Sequence, residues 1–341
     1  MKAWLLSKIT NLDGETAPLN WSDVPVPHPA EQEVVIKVSC CGVCHTELDE
    51  IEGRTPPPVF PVIPGHQVIG VVHETGGRAN RFRKGDRVGV AWIYSACGKC
   101  EYCLAGTENL CPEFRATGRD HHGGYAEYLA IDEKFAYPIP AVFSDAEAAP
   151  LLCAGAIGYR SLKLAGLSDG DTLGLTGFGA SGHLVLKLAR HLYPQSAIYV
   201  FARSGEEQDF ARGLGARWAG AAGDTPPSQA NAIIDTTPAW STITQALLQL
   251  KPGGRLVINA IRKESADQSA LLTLRYQDHL WMEKEIKSVA NITRADVEEF
   301  LSIAASIPIK PEIETYPFEK ANEALTDLKH KHVRGAKVLM L

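Results

Sequence analysis

The chain has 341 residues, enough for two domains, and its 45% hydrophobic and 22% charged residues exclude a disordered or fibrous chain. A formal net charge of −6 argues against a nucleic acid or an anionic membrane as partner, which leaves a small molecule as the expected ligand. No apolar run approaches the roughly 18 residues of a membrane span, and the opening MKAWLLSKITNLDG offers only Ala3–Leu6 before Ser7 and Lys8, too short for a secretory signal, so a cytoplasmic protein is expected.

Up to residue 150 the pattern is of short strands between Pro- and Gly-containing loops: EVVIKVSC from Glu33, QVIGVVHE from Gln67, DRVGVAWI from Asp86 and YAEYLAI from Tyr125. A β-rich barrel or sandwich is expected there. After Pro150 short β-branched runs alternate with helical stretches: DTLGLTG, SGHLVLKLARHL, AIYVFA, EEQDFARGLG, NAIIDTT, ITQALLQL and RLVINAI. This predicts βαβ units on a parallel sheet, hence an α/β fold. From about Thr293 come a helix (ADVEEFLSIAAS), a strand near Glu312 to Tyr316, a second helix (FEKANEALTDLKH) and a terminal strand (AKVLML).

Eight cysteines in a chain expected in a reducing compartment point to metal binding or catalysis rather than disulfides. Cys97, Cys100, Cys103 and Cys111 follow the spacing C-x-x-C-x-x-C-x7-C, which lets four thiolates converge on one ion in a lobe spanning about 95–113. Tetrahedral zinc is the natural occupant, and with four thiolates it has no open position, so it braces the loop. Reduced free thiols and an iron–sulfur cluster are the alternatives, the latter because it too uses four thiolates; its usual runs have a different final spacing, though Pro112 does follow Cys111 as in them. Cys44, His66 and Cys153 are candidates for a second ion. Taken alone each reads as a buried thiol or a satisfied polar residue, but a Cys2His set supplies three ligands and leaves a fourth position for water or substrate.

Gly177, Gly179 and Gly182 in TGFGASGHL follow one predicted strand and open an amphipathic helix, the context that a G-x-G-x-x-G dinucleotide fingerprint requires. The first glycine makes the turn, the second lets the backbone approach the pyrophosphate, and the third permits close helix–strand packing. Ala180 and Ser181 start the helix, whose N-terminus supplies free N–H groups and a positive dipole. At the end of the next predicted strand an NAD enzyme usually has Asp or Glu, but Ala202, Arg203 and Ser204 stand there. A guanidinium with no repelling carboxylate suits an adenosine 2′-phosphate, so NADP is the expected cofactor and NAD the alternative.

These residues occur in the order Cys44, His66, Cys97, Cys100, Cys103, Cys111, Cys153, together with the segments GVCHTELDEIEG, PVIPGHQVIG, GDRVGVAW, GGYAEY and LLCAGAIGYRSL. Over nearly its whole length the chain thereby resembles the zinc-containing alcohol dehydrogenases of the medium-chain dehydrogenase/reductase family. The resemblance implies a GroES-like catalytic domain over 1–150, a Rossmann domain over 151–293, and a return of 294–341 to the first. It implies two zinc ions per chain, Cys44, His66 and Cys153 holding the reactive one, and hydride transfer between a small primary alcohol or aldehyde and NAD(P). It also places Thr46 as the hydroxyl that receives the substrate proton, where otherwise an ordinary loop hydroxyl would stand. His45 falls where relatives contact the pyrophosphate, a solvated loop histidine being the alternative. Trp92 falls where the substrate cleft is narrowed, unless it is a core aromatic, and the smaller Ile51 and Thr55 occupy other pocket positions.

The chain departs from the family pattern at three positions. Asp49 replaces the His that continues the proton relay, so the proton is expected to leave by Asp49 or by water. Gln67 replaces the Glu that commonly follows the zinc His, and Glu47 stands where an Asp usually holds that His, a role Glu47 is expected to keep. A homo-oligomer, dimer or tetramer, is expected. A polyol or other secondary-alcohol dehydrogenase is the alternative within the family, though such enzymes typically carry a carboxylate where Cys153 stands. A non-catalytic NAD(P)- and zinc-binding redox sensor is the alternative of another class.

Overall fold

The structure, a computed structural model, describes residues 1–307, 309–331 and 335–341. They form two compact units, Met1–Ala156 with Asn291–Leu341 and Ile157–Ala290. The first crossing thus falls after Ala156, not at 150, which leaves Cys153 in the same unit as Cys44 and His66. The second falls before Asn291, three residues ahead of the boundary read from the sequence pattern.

Among the described residues, the first unit is built on a seven-stranded sheet ordered Ile313–Pro317, Ala336–Met340, Glu33–Val43, Val68–Thr75, Arg87–Val90 and Ala136–Pro138, with Tyr128–Asp132 also pairing Glu33–Val43. The strand Glu33–Val43 sits at its centre and is buried at nearly every position rather than at alternate ones, because it is covered on both faces. Val34, Ile36, Val68, Val88, Leu129 and Ile131 from these strands share one apolar cluster with Tyr125 and Leu339. The C-terminal segment closes the sheet: Leu339 pairs Cys41 and Lys337 pairs Val43, antiparallel. That strand ends immediately before Cys44, so the sheet fixes where Cys44 emerges.

The second unit is a six-stranded parallel sheet in the order Trp218–Gly220, Ala197–Phe201, Thr172–Thr176, Ala230–Asp235, Leu250–Ile258, Glu285–Ser288. Numbered along the chain this is 3-2-1-4-5-6, the doubly wound dinucleotide-binding order. Thr172–Thr176 is buried at all five positions, as the innermost strand of a sheet covered on both sides must be. The helices Ala180–Leu192, Gly205–Gly213 and Ser241–Leu248 coincide with the predicted amphipathic stretches. No described helix is long and apolar enough to cross a membrane.

Candidate active site

The helix His45–Ile51 starts directly after the central strand, with Cys44 as its N-cap residue. Its third residue, Glu47, is wholly buried and turns back along the helix. One carboxylate oxygen accepts the Cys44 backbone N–H at 2.8 Å, and the other lies 2.6 Å from His66 Nδ1. A single carboxylate thus fixes both the thiol-bearing turn and the imidazole, and with Nδ1 so engaged the ring presents Nε2 on its other side. The longer side chain of Glu, compared with Asp, lets it span both partners.

His66 Nε2 lies 3.2 Å from Cys153 Sγ. Cys153 comes from the junction between the short helix Ala149–Leu152 and the helix Ala154–Ala165. The ligand atoms of Cys44, His66 and Cys153 lie within 4.8 Å of one another. In a tetrahedral zinc site with Zn–S near 2.3 Å, neighbouring ligand atoms are about 3.8 Å apart, so this set could hold one ion and leave a fourth position vacant. The hydrogen bond from the Cys153 thiol, and then those involving His66, hold Cys44 well below the ordinary thiol range, while Cys153 as the donor is pushed up. This half-ionised arrangement is one a divalent cation would complete, because thiolates are the species that ligate metal.

Thr46 Oγ1 stands 3.6 Å from Cys44 Sγ. His45 is exposed at the start of the helix. Asp49 is buried, and its carboxylate pairs with Arg54 Nε at 2.6 Å. Trp92 lies edge-on to His66 with ring centroids 6.4 Å apart, and its Nε1 is buried without a hydrogen-bond partner among the described residues. Gln67 is buried against Gly42, and Ile51 belongs to the hydrophobic core. Thr55 Oγ1 is buried without a hydrogen-bond partner among the described residues.

Two residues in this region escape sequence reasoning. Glu50, one helical turn after Thr46, is 1% exposed, and its Oε1 has no hydrogen-bond partner among the described residues. Burial, and after it the Glu47 carboxylate, push Glu50 well above the ordinary carboxylate range. A glutamate on a helix reads as a solvated residue, and only the apolar Leu48 and Ile51 beside it hint at burial. Arg119 lies over the Trp92 ring at 5.5 Å and pairs with Asp120, a contact between loops with no local sequence signature.

The second cysteine set is also convergent. The sulfur atoms of Cys97, Cys100, Cys103 and Cys111 lie within 4.8 Å of one another. Backbone N–H groups point at them: Cys100 N to Cys97 Sγ at 3.4 Å, Cys97 N to Cys111 Sγ at 3.5 Å and Glu113 N to Cys111 Sγ at 3.3 Å. The N–H groups of Lys99 and Cys100 draw Cys97 down to about 7, whereas desolvation and then hydrogen bonds to the other thiols push Cys103 up to about 12. Four sulfurs so close cannot all ionise unless a cation sits among them.

In the second unit, the glycine turn links Thr172–Thr176 to the helix Ala180–Leu192, with Gly179 as N-cap. Gly177 has φ +84°, and a Cβ there would come within 2.6 Å of Thr236 Oγ1. A Cβ on Gly182 would press to 2.8 Å from Gly177 O, but one on Gly179 would meet nothing within 4 Å. The turn is closed at its first and third glycines and open at the second, the side from which a pyrophosphate could approach Ala180 and Ser181. Ala202 is buried at the end of the neighbouring strand, and Arg203 is exposed. A carboxylate does reach this strand end, from the capping box Ser204–Glu207: Glu207 Oε2 accepts the N–H groups of Arg203 at 3.2 Å and Ser204 at 3.3 Å.

Residues 30–141 match the alcohol dehydrogenase GroES-like domain family and residues 200–339 the zinc-binding dehydrogenase family. A probable alcohol dehydrogenase AdhA of Mycobacterium tuberculosis (strain CDC 1551 / Oshkosh) is 41% identical over 346 residues, covering 100% of this chain and 97% of the relative. An alcohol dehydrogenase of Geobacillus stearothermophilus is 34% identical over 95% of this chain and 96% of its own. Among solved structures, a cinnamyl alcohol dehydrogenase of Sorghum bicolor superposes with a TM-score of 0.85 at 28% identity, covering 99% of this chain and 97% of that one.

Proposed function

The chain belongs to the zinc-containing alcohol dehydrogenases of the medium-chain dehydrogenase/reductase family and is an NAD(P)-dependent alcohol dehydrogenase, and from that premise we propose that it oxidises small primary alcohols, or reduces their aldehydes, with Cys44, His66 and Cys153 holding the reactive zinc. The observation that carries this reading is the convergence of those three ligand atoms, from residues 109 positions apart at the extremes, beside Thr46 and Trp92. When bound, zinc supplies a Lewis acid for the substrate oxygen and the dinucleotide supplies a hydride acceptor.

The chain's own residues do the rest. Glu47 orients His66 and pins the Cys44 backbone, so the ligand set is preorganised. Thr46 receives the substrate proton at Oγ1, next to the Cys44 sulfur. From Thr46 the proton passes to Asp49 or to water. The Asp49 carboxylate is engaged by Arg54 Nε at 2.6 Å, turned to that partner and not to Thr46; Asp49→Asn is therefore expected to leave the pH profile of hydride transfer unmoved, and a shifted profile would make Asp49 the acceptor. Trp92 narrows the cleft beside His66, which favours short unbranched substrates. Cys97, Cys100, Cys103 and Cys111 hold a second, structural zinc.

For the cofactor, NADP is the preferred reading. Arg203 is exposed and available to pair with a 2′-phosphate, and Glu207 is committed to capping a helix N-terminus, whose dipole partly offsets its charge. Oligomerisation is supported by the outer edge of the parallel sheet, where Glu285–Ser288 is exposed at all four positions and Ile286, Trp281 and Tyr276 are 47%, 54% and 57% exposed. The free thiols suit a cytoplasmic setting.

One preparation tests the whole reading. A panel of ethanol, propanol, benzyl and cinnamyl alcohols and the matching aldehydes, run with NADPH and NADH couples, should show turnover with kcat/KM higher for NADP(H). Metal analysis should give two zinc ions per chain, and the native mass should be a multiple of 37.0 kDa. Ala202→Asp, which adds a carboxylate facing the adenosine ribose, should move the preference toward NAD by about tenfold or more. No turnover with any member would leave a non-catalytic binding protein, and a native preference for NADH would overturn the Arg203 assignment.

A further inference from the structure

The C-terminal ends of the central strands in the second unit carry a buried ion pair that the glycine turn does not account for. Lys263 Nζ lies 2.5 Å from Asp235 Oδ2, with side chains 7% and 0% exposed. The ammonium also donates to Thr237 O at 2.8 Å and Ala239 O at 3.1 Å, so its three protons have three acceptors. The other oxygen of Asp235 accepts the Thr237 hydroxyl at 2.9 Å, and that hydroxyl also faces Thr242 Oγ1 at 2.7 Å.

A pair removed so completely from water is weak evidence for stabilisation, because the desolvation of two charges offsets their attraction. Its local effect is more specific. It anchors the backbone of residues 237–239, which lie outside any helix or strand, directly after Ala230–Asp235. Glu264 N donates to Pro238 O, at 2.8 Å, tying the same segment to the chain beyond Leu250–Ile258. The segment in turn packs on the glycine turn: Thr236 Oγ1 donates to Thr176 O at 3.0 Å, and the space where a Gly177 Cβ would lie is bounded by Thr236 Oγ1 and Thr237 Cγ2. Thr172–Thr176 and Ala230–Asp235 are the neighbouring strands at which the order of the sheet reverses. In open α/β sheets the ligand sits outside the carboxyl ends of the strands at that point.

We propose that Lys263 is a positioning residue for the dinucleotide: by clamping Asp235 and the carbonyls of Thr237 and Ala239, it holds the segment Thr236–Ala239 against the Gly177 turn and so sets the shape in which that turn meets the pyrophosphate. The inference rests on Gly177–Gly182 being the dinucleotide site. A lysine is suited to the task because its compact ammonium directs donors to three acceptors at once, and Lys263→Arg, with a planar fork, should recover only part of the effect.

The test compares dissociation constants for NADPH and NADH, read by fluorescence, in the wild type, Lys263→Met, Lys263→Arg and the double variant Asp235→Asn with Lys263→Met, each alongside a thermal melt. Lys263→Met is expected to raise the dissociation constants about tenfold. The double variant leaves no buried charge unpaired, so its melting temperature should lie within about 3 °C of the wild type. It should still bind weakly, because Thr237 O loses the Lys263 donor and Ala239 O keeps only the Thr242 hydroxyl, at 3.0 Å. If the double variant binds like the wild type, the pair serves folding alone and the proposal is overturned. If the wild type itself binds neither dinucleotide, the reading of the glycine turn fails, and the proposal falls with it.

Discussion

Cys153→Ser is expected to reduce the metal content from two ions per chain to one and to lower kcat/KM for alcohol oxidation by about a thousandfold or more. A Lewis acid contributes several kcal/mol of charge stabilisation in the transition state, and about 4 kcal/mol corresponds to that factor. Of the three proposed ligands, Cys153 makes this test clean. Its sulfur lies 3.2 Å from His66 Nε2, whereas its backbone is fixed by Pro150 O and by the helix that follows. Oxygen for sulfur is a small change in volume, so the fold and the four-cysteine lobe should persist. A serine hydroxyl stays protonated near neutral pH and is a poor substitute for a thiolate on zinc. Two ions and full turnover in this variant would mean that the three-residue set is not the reactive centre. Loss of both ions would mean that the two clusters are not independent.

The legible parts of the fold are those governed by local pattern. The parallel sheet declares itself in DTLGLTG, AIYVFA and NAIIDTT, because strands covered on both faces must be apolar nearly throughout, and the glycine turn sits between the first of these and its helix. Strands without such a pattern are not legible in the sequence. Glu285–Ser288 has only one apolar residue in EIKS, and it joins the sheet as an exposed edge, where burial imposes no periodicity. Lys2–Leu6 and Leu19–Asp23 pair with each other across an intervening loop, a non-local match that neither segment signals alone. In the site, the spacing of Cys97, Cys100, Cys103 and Cys111 makes their cluster readable, since the chain needs only a compact loop to bring them together. Cys44, His66 and Cys153 have no such spacing, and family resemblance, not local pattern, singled them out. Hidden from sequence are the second contact of Glu47, to the Cys44 N–H, the burial of Glu50 and the Lys263–Asp235 pair. Each depends on which side chains the sheet brings face to face, and a charged residue on a helix or loop reads as solvated until its neighbours are known.

The second large effect is expected in the lobe: Cys103→Ser should lose the other ion, destabilise the lobe by several kcal/mol and open it to protease while hydride transfer at first survives. The lobe has little else to hold it. Its helices Glu101–Leu104 and Glu108–Leu110 are one turn each, and Leu104 and Leu110 are 76% and 45% exposed, so there is hardly an apolar core. Structural zinc contributes about 10–16 kcal/mol of binding free energy in small peptides, enough to fold a segment that burial alone cannot. The lobe stays tied to the rest of the unit by the Glu108 carboxylate, which accepts both Arg294 N and Arg294 Nε at 3.0 Å, so it should fray from its cysteine loop and not detach. Limited proteolysis read by mass spectrometry should therefore show new cuts within 95–113 in the variant, and the same cuts in wild type stripped by chelator. The retained ion should be the reactive one, so early turnover separates this variant from Cys153→Ser, which keeps an intact lobe and loses catalysis. Unchanged protease resistance with one ion missing would show that the lobe holds its shape without metal.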